Sequence, residues 1–136
     1  MNFELSKKQG FVKEVPANTI RAKSLIKSSR QAIETAKKIQ LNEETLKSII
    51  RELYEGLREY CEALGYVYGY KFLNHETITF FLRDVLKENS IANKFDKYRK
   101  IRNGINYYGN DVDIETVKSS LKEIPEIINL LEKYLN

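Results

Sequence analysis

Leu46-Lys47-Ser48-Ile49-Ile50-Arg51-Glu52-Leu53-Tyr54-Glu55-Gly56-Leu57-Arg58-Glu59-Tyr60-Cys61-Glu62-Ala63-Leu64 is the stretch whose reading decides the fold class. Its apolar side chains fall at Leu46, Ile49/Ile50, Leu53/Tyr54, Leu57, Tyr60/Cys61 and Leu64, in steps of three and four, which places them on one side of a helix. Asn42 stands just before it and can accept a bond from an otherwise orphan backbone N–H. Glu43 and Glu44 suit the positive end of the helix dipole. Cys61 lies within the stripe and reads as a small buried thiol; as the lone cysteine it has no internal disulfide partner.

Working outward, the same period recurs on both sides. Upstream, Ala22, Leu25/Ile26, Ala32/Ile33, Ala36 and Ile39 predict a helix over about 17–40, with Asn18 as its cap. Residues 1–16 carry no period and end at Val15-Pro16, so they are expected to form an N-terminal arm, leaving 17–136 as a single domain. Downstream, Gly65-Tyr66-Val67-Tyr68-Gly69-Tyr70-Lys71-Phe72 breaks the pattern. Alternating tyrosines suggest a strand, but no nearby segment supplies a second one, so an aromatic loop with its tyrosines used for packing is expected. A third helix opens at Asn74-His75-Glu76-Thr77 and runs to Leu86. A fourth covers about 91–108, with Ile91, Phe95, Tyr98, Ile101, Ile105 and Tyr108 inward and Gly109-Asn110 as its stop. A fifth covers about 113–135, with Pro125 removing one backbone bond and bending it. The fold expected is all-α: an antiparallel up-and-down bundle of four to five helices without a sheet.

A chain of 136 residues can bury roughly two-thirds of its unfolded surface, enough for one core. No stretch approaches the roughly 20 apolar residues of a membrane span, and Met1 to Lys8 lacks the apolar run of a signal peptide. A cytoplasmic protein without a membrane partner is expected. The net charge of +4 is unevenly placed. Residues 1–40 carry nine Lys/Arg against three acids, and 91–110 carry five (Lys94, Lys97, Arg99, Lys100 and Arg102) against Asp96 alone. These two basic segments could form one face toward an anionic partner or could simply solvate helix surfaces.

The chain has no CxxC pair, HExxH, Walker-type glycine loop or GxSxG turn. With one His and one Cys, a zinc site or a Cys–His nucleophile pair is not expected, and no cofactor is implied. His75, beside Asn74 at a helix start, could cap, pack or act as a base; a structural role is the expectation. The richest segment is Tyr98-Arg99-Lys100-Ile101-Arg102-Asn103-Gly104-Ile105-Asn106-Tyr107-Tyr108-Gly109. On helix geometry Arg102 neighbours Tyr98 and Asn106, and Arg99 and Asn103 form the adjacent row. Guanidinium suits a pair of phosphate oxygens. Gly104 costs about 1 kcal/mol in a helix relative to alanine, and such a residue often marks close approach of another backbone. Spacing leaves two readings open: a site formed between two chains, or a capping and packing network inside one.

The segment resembles the motif of HEPN domains, in which an Arg, a polar residue and a downstream His sit on a late helix of a small bundle. Tyr54-Glu55-Gly56-Leu57-Arg58-Glu59 looks like that family's second helix, and Tyr70-Lys71-Phe72-Leu73-Asn74-His75-Glu76 like its loop into the third. Tyr98 through Gly109 is similar to the segment of an archaeal branch, so the resemblance covers about residues 17–135. It implies a protein of RNA metabolism. Many HEPN proteins are homodimeric, metal-independent endoribonucleases in which the ribose 2′-OH attacks its own phosphate, the Arg steadies developing charge and the His handles protons. Others partner a minimal nucleotidyltransferase in toxin–antitoxin pairs.

Carried over, Arg102 matches the arginine and Asn103 its polar neighbour, with Asn106 and Tyr107 completing the candidate catalytic set. Lys94, Lys97, Arg99, Lys100 and Arg102 are the candidate nucleic-acid contacts, and Gly104 the candidate dimer contact. The expected His is replaced by Tyr107, Tyr108 or Gly109, and a phenol with a pKa near 10 is a poor acid–base at neutral pH. A Tyr beyond that His is adenylylated by the transferase in some members; the matching place here is Gly109, so that role does not carry over. Three functions follow: a ribonuclease toxin with a degenerate Arg/Asn/Tyr site, a non-catalytic RNA- or nucleotide-binding partner of a nucleotidyltransferase, or a structural helical dimer. The first two, in a toxin–antitoxin setting, are preferred.

Overall fold

The protein is described by a computed structural model covering residues 1–135; residue 136, the end of the expected domain, lies outside the described residues. In chain order the elements are α1 (Phe3–Lys8), β1 (Val12–Glu14), α2 (Thr19–Lys38), α3 (Leu46–Tyr68), β2 (Tyr70–Phe72), α4 (Glu76–Phe80), α5 (Asn89–Tyr108) and α6 (Ile114–Leu131). A single π-helical turn, Phe81–Val85, extends α4, and a 3-10 turn, Glu132–Leu135, follows α6. The fold is mostly helical and bundle-like. Among the described residues no helix is long and apolar enough to cross a membrane.

The bundle is organised around α3, which packs on α2, α5, α6 and β2. Its stripe does what the spacing requires: Ile49, Leu53, Leu57, Cys61 and Leu64 are all fully buried. Desolvation pushes the Cys61 thiol up from its ordinary value, which keeps it a neutral packing group. Gly56 lets α2 come close, since a Cβ there would meet Ile33 Cδ1 at 2.7 Å, and Ser29 Oγ donates to the Gly56 carbonyl at 2.6 Å. Caps fall where short polar side chains precede the periodic runs. Asn18 Oδ1 accepts from the Arg21 N–H at 3.0 Å, and Asp113 Oδ1 from the Thr116 N–H at 2.7 Å. The helix expected after Asn42 starts later, at Leu46. Asn42 instead closes a turn, its Oδ1 taking the Glu44 N–H at 2.9 Å. α6 runs on through Pro125.

The structure corrects the expectation of an aromatic loop and no sheet. Helix α3 continues to Tyr68 and is stopped by Gly69 at φ 85°. Tyr70–Phe72 is then a strand, antiparallel to β1 with Val12 opposite Phe72 and Glu14 opposite Tyr70. The second strand comes from within residues 1–16, whose three-residue Val-Lys-Glu run is too short to show a period of two. Phe3 on α1 is buried and its ring stands edge-on to Tyr70 at 4.9 Å and near Phe81 at 6.0 Å. The Phe3 N–H donates to Asp84 Oδ2 at 2.9 Å. The tyrosine-rich segment thus serves packing, with Tyr68 and Tyr70 both edge-on to Phe81.

Candidate functional site

Helix α5 is anchored by Ile91, Ala92, Phe95, Tyr98 and Ile105, all buried; Tyr108, expected inward, is instead exposed at the last residue of the helix, beyond the packed turns. That anchoring fixes which way its charged residues can face. Toward α6, Lys97 Nζ meets Glu123 Oε1 at 2.9 Å and Lys94 Nζ meets Glu123 Oε2 at 3.6 Å, while the Tyr98 hydroxyl donates to the same carboxylate. Burial alone would raise the Glu123 pKa, but the bonds from Tyr98 and Lys97 outweigh it and hold the carboxyl below its ordinary range.

Toward α4 the pattern changes residue by residue. Arg99 is clamped by Asp96, with Nη2 at 2.7 Å, and lies 3.6 Å from Glu76 Oε2. Lys100 pairs with the other Asp96 oxygen at 3.0 Å. Arg102 is different: its Nη1 donates to Asn103 Oδ1 at 3.1 Å and its guanidinium sits 5.4 Å over the Tyr54 ring. Among the described residues no carboxylate pairs with it.

Arg99, Arg102, Asn103 and Tyr107 form one wall of an open cleft of about 510 Å³; Leu73, Asn74, His75 and Glu76 form the other. The second wall is fixed by Asn74, whose Oδ1 accepts from the Thr77 N–H at 2.9 Å and from its hydroxyl at 2.5 Å. The His75 Nδ1 stands 3.0 Å from the Tyr54 hydroxyl. Burial first, then the charges of Arg58 and Arg102, lower the His75 pKa to about 4, against a smaller opposing effect of Glu55. The ring is therefore neutral at pH 7. Burial drives the Tyr54 phenol well above its ordinary value, so it stays protonated. Among the described residues its O–H has no acceptor other than His75 Nδ1, which assigns the phenol as donor and leaves the ring proton on Nε2.

The structure thus gathers four of the sequence-derived site residues, Arg99, Arg102, Asn103 and Tyr107, and separates the others. Asn106 accepts from Arg51 Nε at 2.8 Å, toward α3. Lys94 and Lys97 lie on the α6 side. Gly104 faces its own chain: a Cβ there would come within 2.7 Å of Asn110 Nδ2. His75, for which the sequence suggests a structural role, is in the cleft, as are Asn74 and Glu76. The only signal for them was the tripeptide Asn74-His75-Glu76 at a helix start, and Tyr54 was read as core alone. Among the described residues no group of three or more His, Cys, Asp or Glu could hold a metal ion.

Beside the Arg99–Glu76 ion pair, the cleft offers the Arg102 guanidinium, an imidazole N–H, amides and a phenol, and these donors suit an anionic oxygen pair. No family model, curated protein or solved structure matches the chain.

Proposed function

We propose that this chain is a HEPN-type protein of RNA metabolism whose cleft between the start of α4 and helix α5 seats an RNA phosphodiester on Arg102. The observation that carries this reading is the state of Arg102. It is the one candidate cation on α5 with no acidic partner among the described residues, and it opens into a cleft beside a neutral imidazole. An unneutralised guanidinium held over an aromatic face is pre-positioned for a bidentate phosphate contact. The mostly helical fold, with the Arg–Asn pair on a late helix, is compatible with the resemblance.

Within this proposal the protein is the HEPN half of a toxin–antitoxin pair with a minimal nucleotidyltransferase, works as a homodimer, and cleaves RNA without metal. A second reading, binding without turnover, is favoured by one observation. The stretch of α5 where the motif places its imidazole carries Tyr107, an exposed phenol. Single-stranded RNA incubated with the protein in chelator separates the two: cleavage that Arg102→Ala removes supports the enzyme, and binding without cleavage supports the second reading. Absence of any RNA affinity at low salt overturns both. Co-purification with the product of an adjacent nucleotidyltransferase gene tests the partnership.

A further inference from the structure

Two walls meet at the cleft, and only the α5 wall carries the candidate site residues read from the sequence. The α5 wall supplies Arg102, while the opposite wall supplies the single imidazole of the chain, at His75. Three facts bear on what that ring does. Its Nδ1 is occupied by the Tyr54 hydroxyl at 3.0 Å, which fixes both tautomer and orientation from below. Tyr54 is buried within α3 and its ring also carries the Arg102 guanidinium at 5.4 Å, so one phenol positions both groups. Burial first, and then the charges of Arg58, Arg102 and Arg99 against Glu55, keep the imidazole uncharged. A ring held in one tautomer by its inner nitrogen, with no described residue hydrogen-bonded to its outer one, is left with a donor and no protein acceptor.

We propose that His75 is a ligand-binding residue of this cleft: its Nε2–H donates to a phosphodiester oxygen of a bound nucleic-acid strand whose phosphate is held by Arg102. The inference rests on the reading of the cleft as a phosphodiester site and adds that the imidazole comes from the start of α4, hung on Tyr54. The ligand class is a phosphodiester because a neutral N–H beside a guanidinium meets a singly charged oxygen pair with two kinds of donor. The role of the ring here is a hydrogen bond, and no proton need leave it.

The test uses the full chain and a 2′-O-methyl oligouridylate, a phosphodiester strand that has no free 2′-OH to attack its own phosphate. The one imidazole gives one set of ring resonances by NMR. Titration at pH 7 and low salt is expected to move them with the same midpoint as overall binding, and Arg102→Ala to raise that midpoint by about 10- to 100-fold. His75→Leu is expected to weaken binding about tenfold or more, and His75→Gln, which keeps an N–H donor, to stay within about threefold of the parent. If His75→Leu disturbs folding by stranding the Tyr54 hydroxyl, the resonances of the unaltered protein still decide. Binding that needs Arg102 but leaves them unmoved overturns this inference and leaves the phosphodiester reading standing. A Gln variant as weak as Leu also overturns it, since a donor alone would then not suffice. No binding by the parent protein at low salt overturns the underlying reading itself.

Discussion

The two sides of α5 differ in what their cations meet. Toward α6, Lys94, Lys97 and the Tyr98 hydroxyl converge on one carboxylate, Glu123. Toward α4, Arg99 and Lys100 share Asp96, and one turn further on Arg102 has an aromatic ring beneath it and an amide beside it. A count of basic residues treats all five alike. The structure ranks them: a lysine already paired must exchange one anion for another on binding phosphate, whereas Arg102 gains an ion partner it did not have. The lesson is that a basic segment is a candidate surface only after its internal carboxylates have been subtracted.

The largest expected effect is at Arg102. Arg102→Ala should weaken single-stranded RNA binding at low salt by about 10- to 100-fold, the loss of a charge-assisted contact. Lys97→Ala should stay within about twofold and leave the slope of affinity against salt unchanged. Fluorescence anisotropy across a salt series reads both. Equal losses at the two positions would erase the distinction between the two sides of the helix. Arg102→Lys, which keeps charge but not the planar fork, should fall between parent and Ala.

Acid separates the two sides next. His75 has a folded pKa near 4, below its unfolded value of about 6.5, so protons favour the unfolded chain between those limits. Stability from this group is therefore full above about pH 6.5 and lost as pH falls toward 4. Asp96 and Glu123 are held below their ordinary carboxylate values against burial, Asp96 by hydrogen bonds from Arg99 and Lys100 and Glu123 by hydrogen bonds from Tyr98 and Lys97. Their contribution is full above their unfolded pKa, about 4, and lost only as pH falls further, through the folded values. Denaturant unfolding at several pH values should show the upper part of this decline flattened in His75→Gln and retained in Glu123→Gln. The reverse assignment would put the titrating group on the wrong side.

Glu123→Gln tests the closed side directly. Releasing two half-exposed lysines, while the amide oxygen still accepts from the Tyr98 hydroxyl, should cost no more than about 1 kcal/mol of stability. It should also steepen the salt dependence of RNA binding, by up to about one unit for each lysine that finds a phosphate. An unchanged slope would place that side away from the bound strand altogether.

Gly104→Ala is the smallest perturbation. Alanine gains about 1 kcal/mol of helix propensity but presses on the Asn110 side chain at 2.7 Å, the far end of an exposed and movable group. Monomer stability should stay within about 1 kcal/mol of the parent. Light scattering that nevertheless shows a dimer lost on this change would assign Gly104 to a contact between chains; an unchanged assembly would leave Asn110 as its only close neighbour.

Most of the helical architecture was legible in the sequence. The stripe from Leu46 to Leu64 is the buried side of α3, Asn18 does cap α2, and Gly109 ends α5 at φ 66°. The strand pair was not legible: Tyr70–Phe72 shows alternation, but its partner at Val12–Glu14 lies at the other end of a long helical hairpin. In the cleft the Arg102–Asn103 pair stood out from its residue types, and His75 did not. A lone imidazole at a helix start looks the same in sequence whether it packs, caps or faces a ligand.

Sequence alone determined where the long helices form and most of the side each buries, because propensity, capping and a 3.6-residue period act over one or two turns; it missed α1 in the expected arm and placed the exposed Tyr108 inward. Tertiary structure decided what each buried or charged group meets. His75 is 21 residues from Tyr54 and Lys97 is 26 from Glu123, yet those pairings fix the tautomer of the ring and remove the lysines from the free basic surface. Period reports a direction around a helix axis and carries no information about the element packed there. Charge interaction falls with distance in space and not along the chain, so only the folded arrangement closes Lys94 and Lys97 on Glu123, whereas Arg99 and Lys100 meet Asp96 three and four residues back on their own helix.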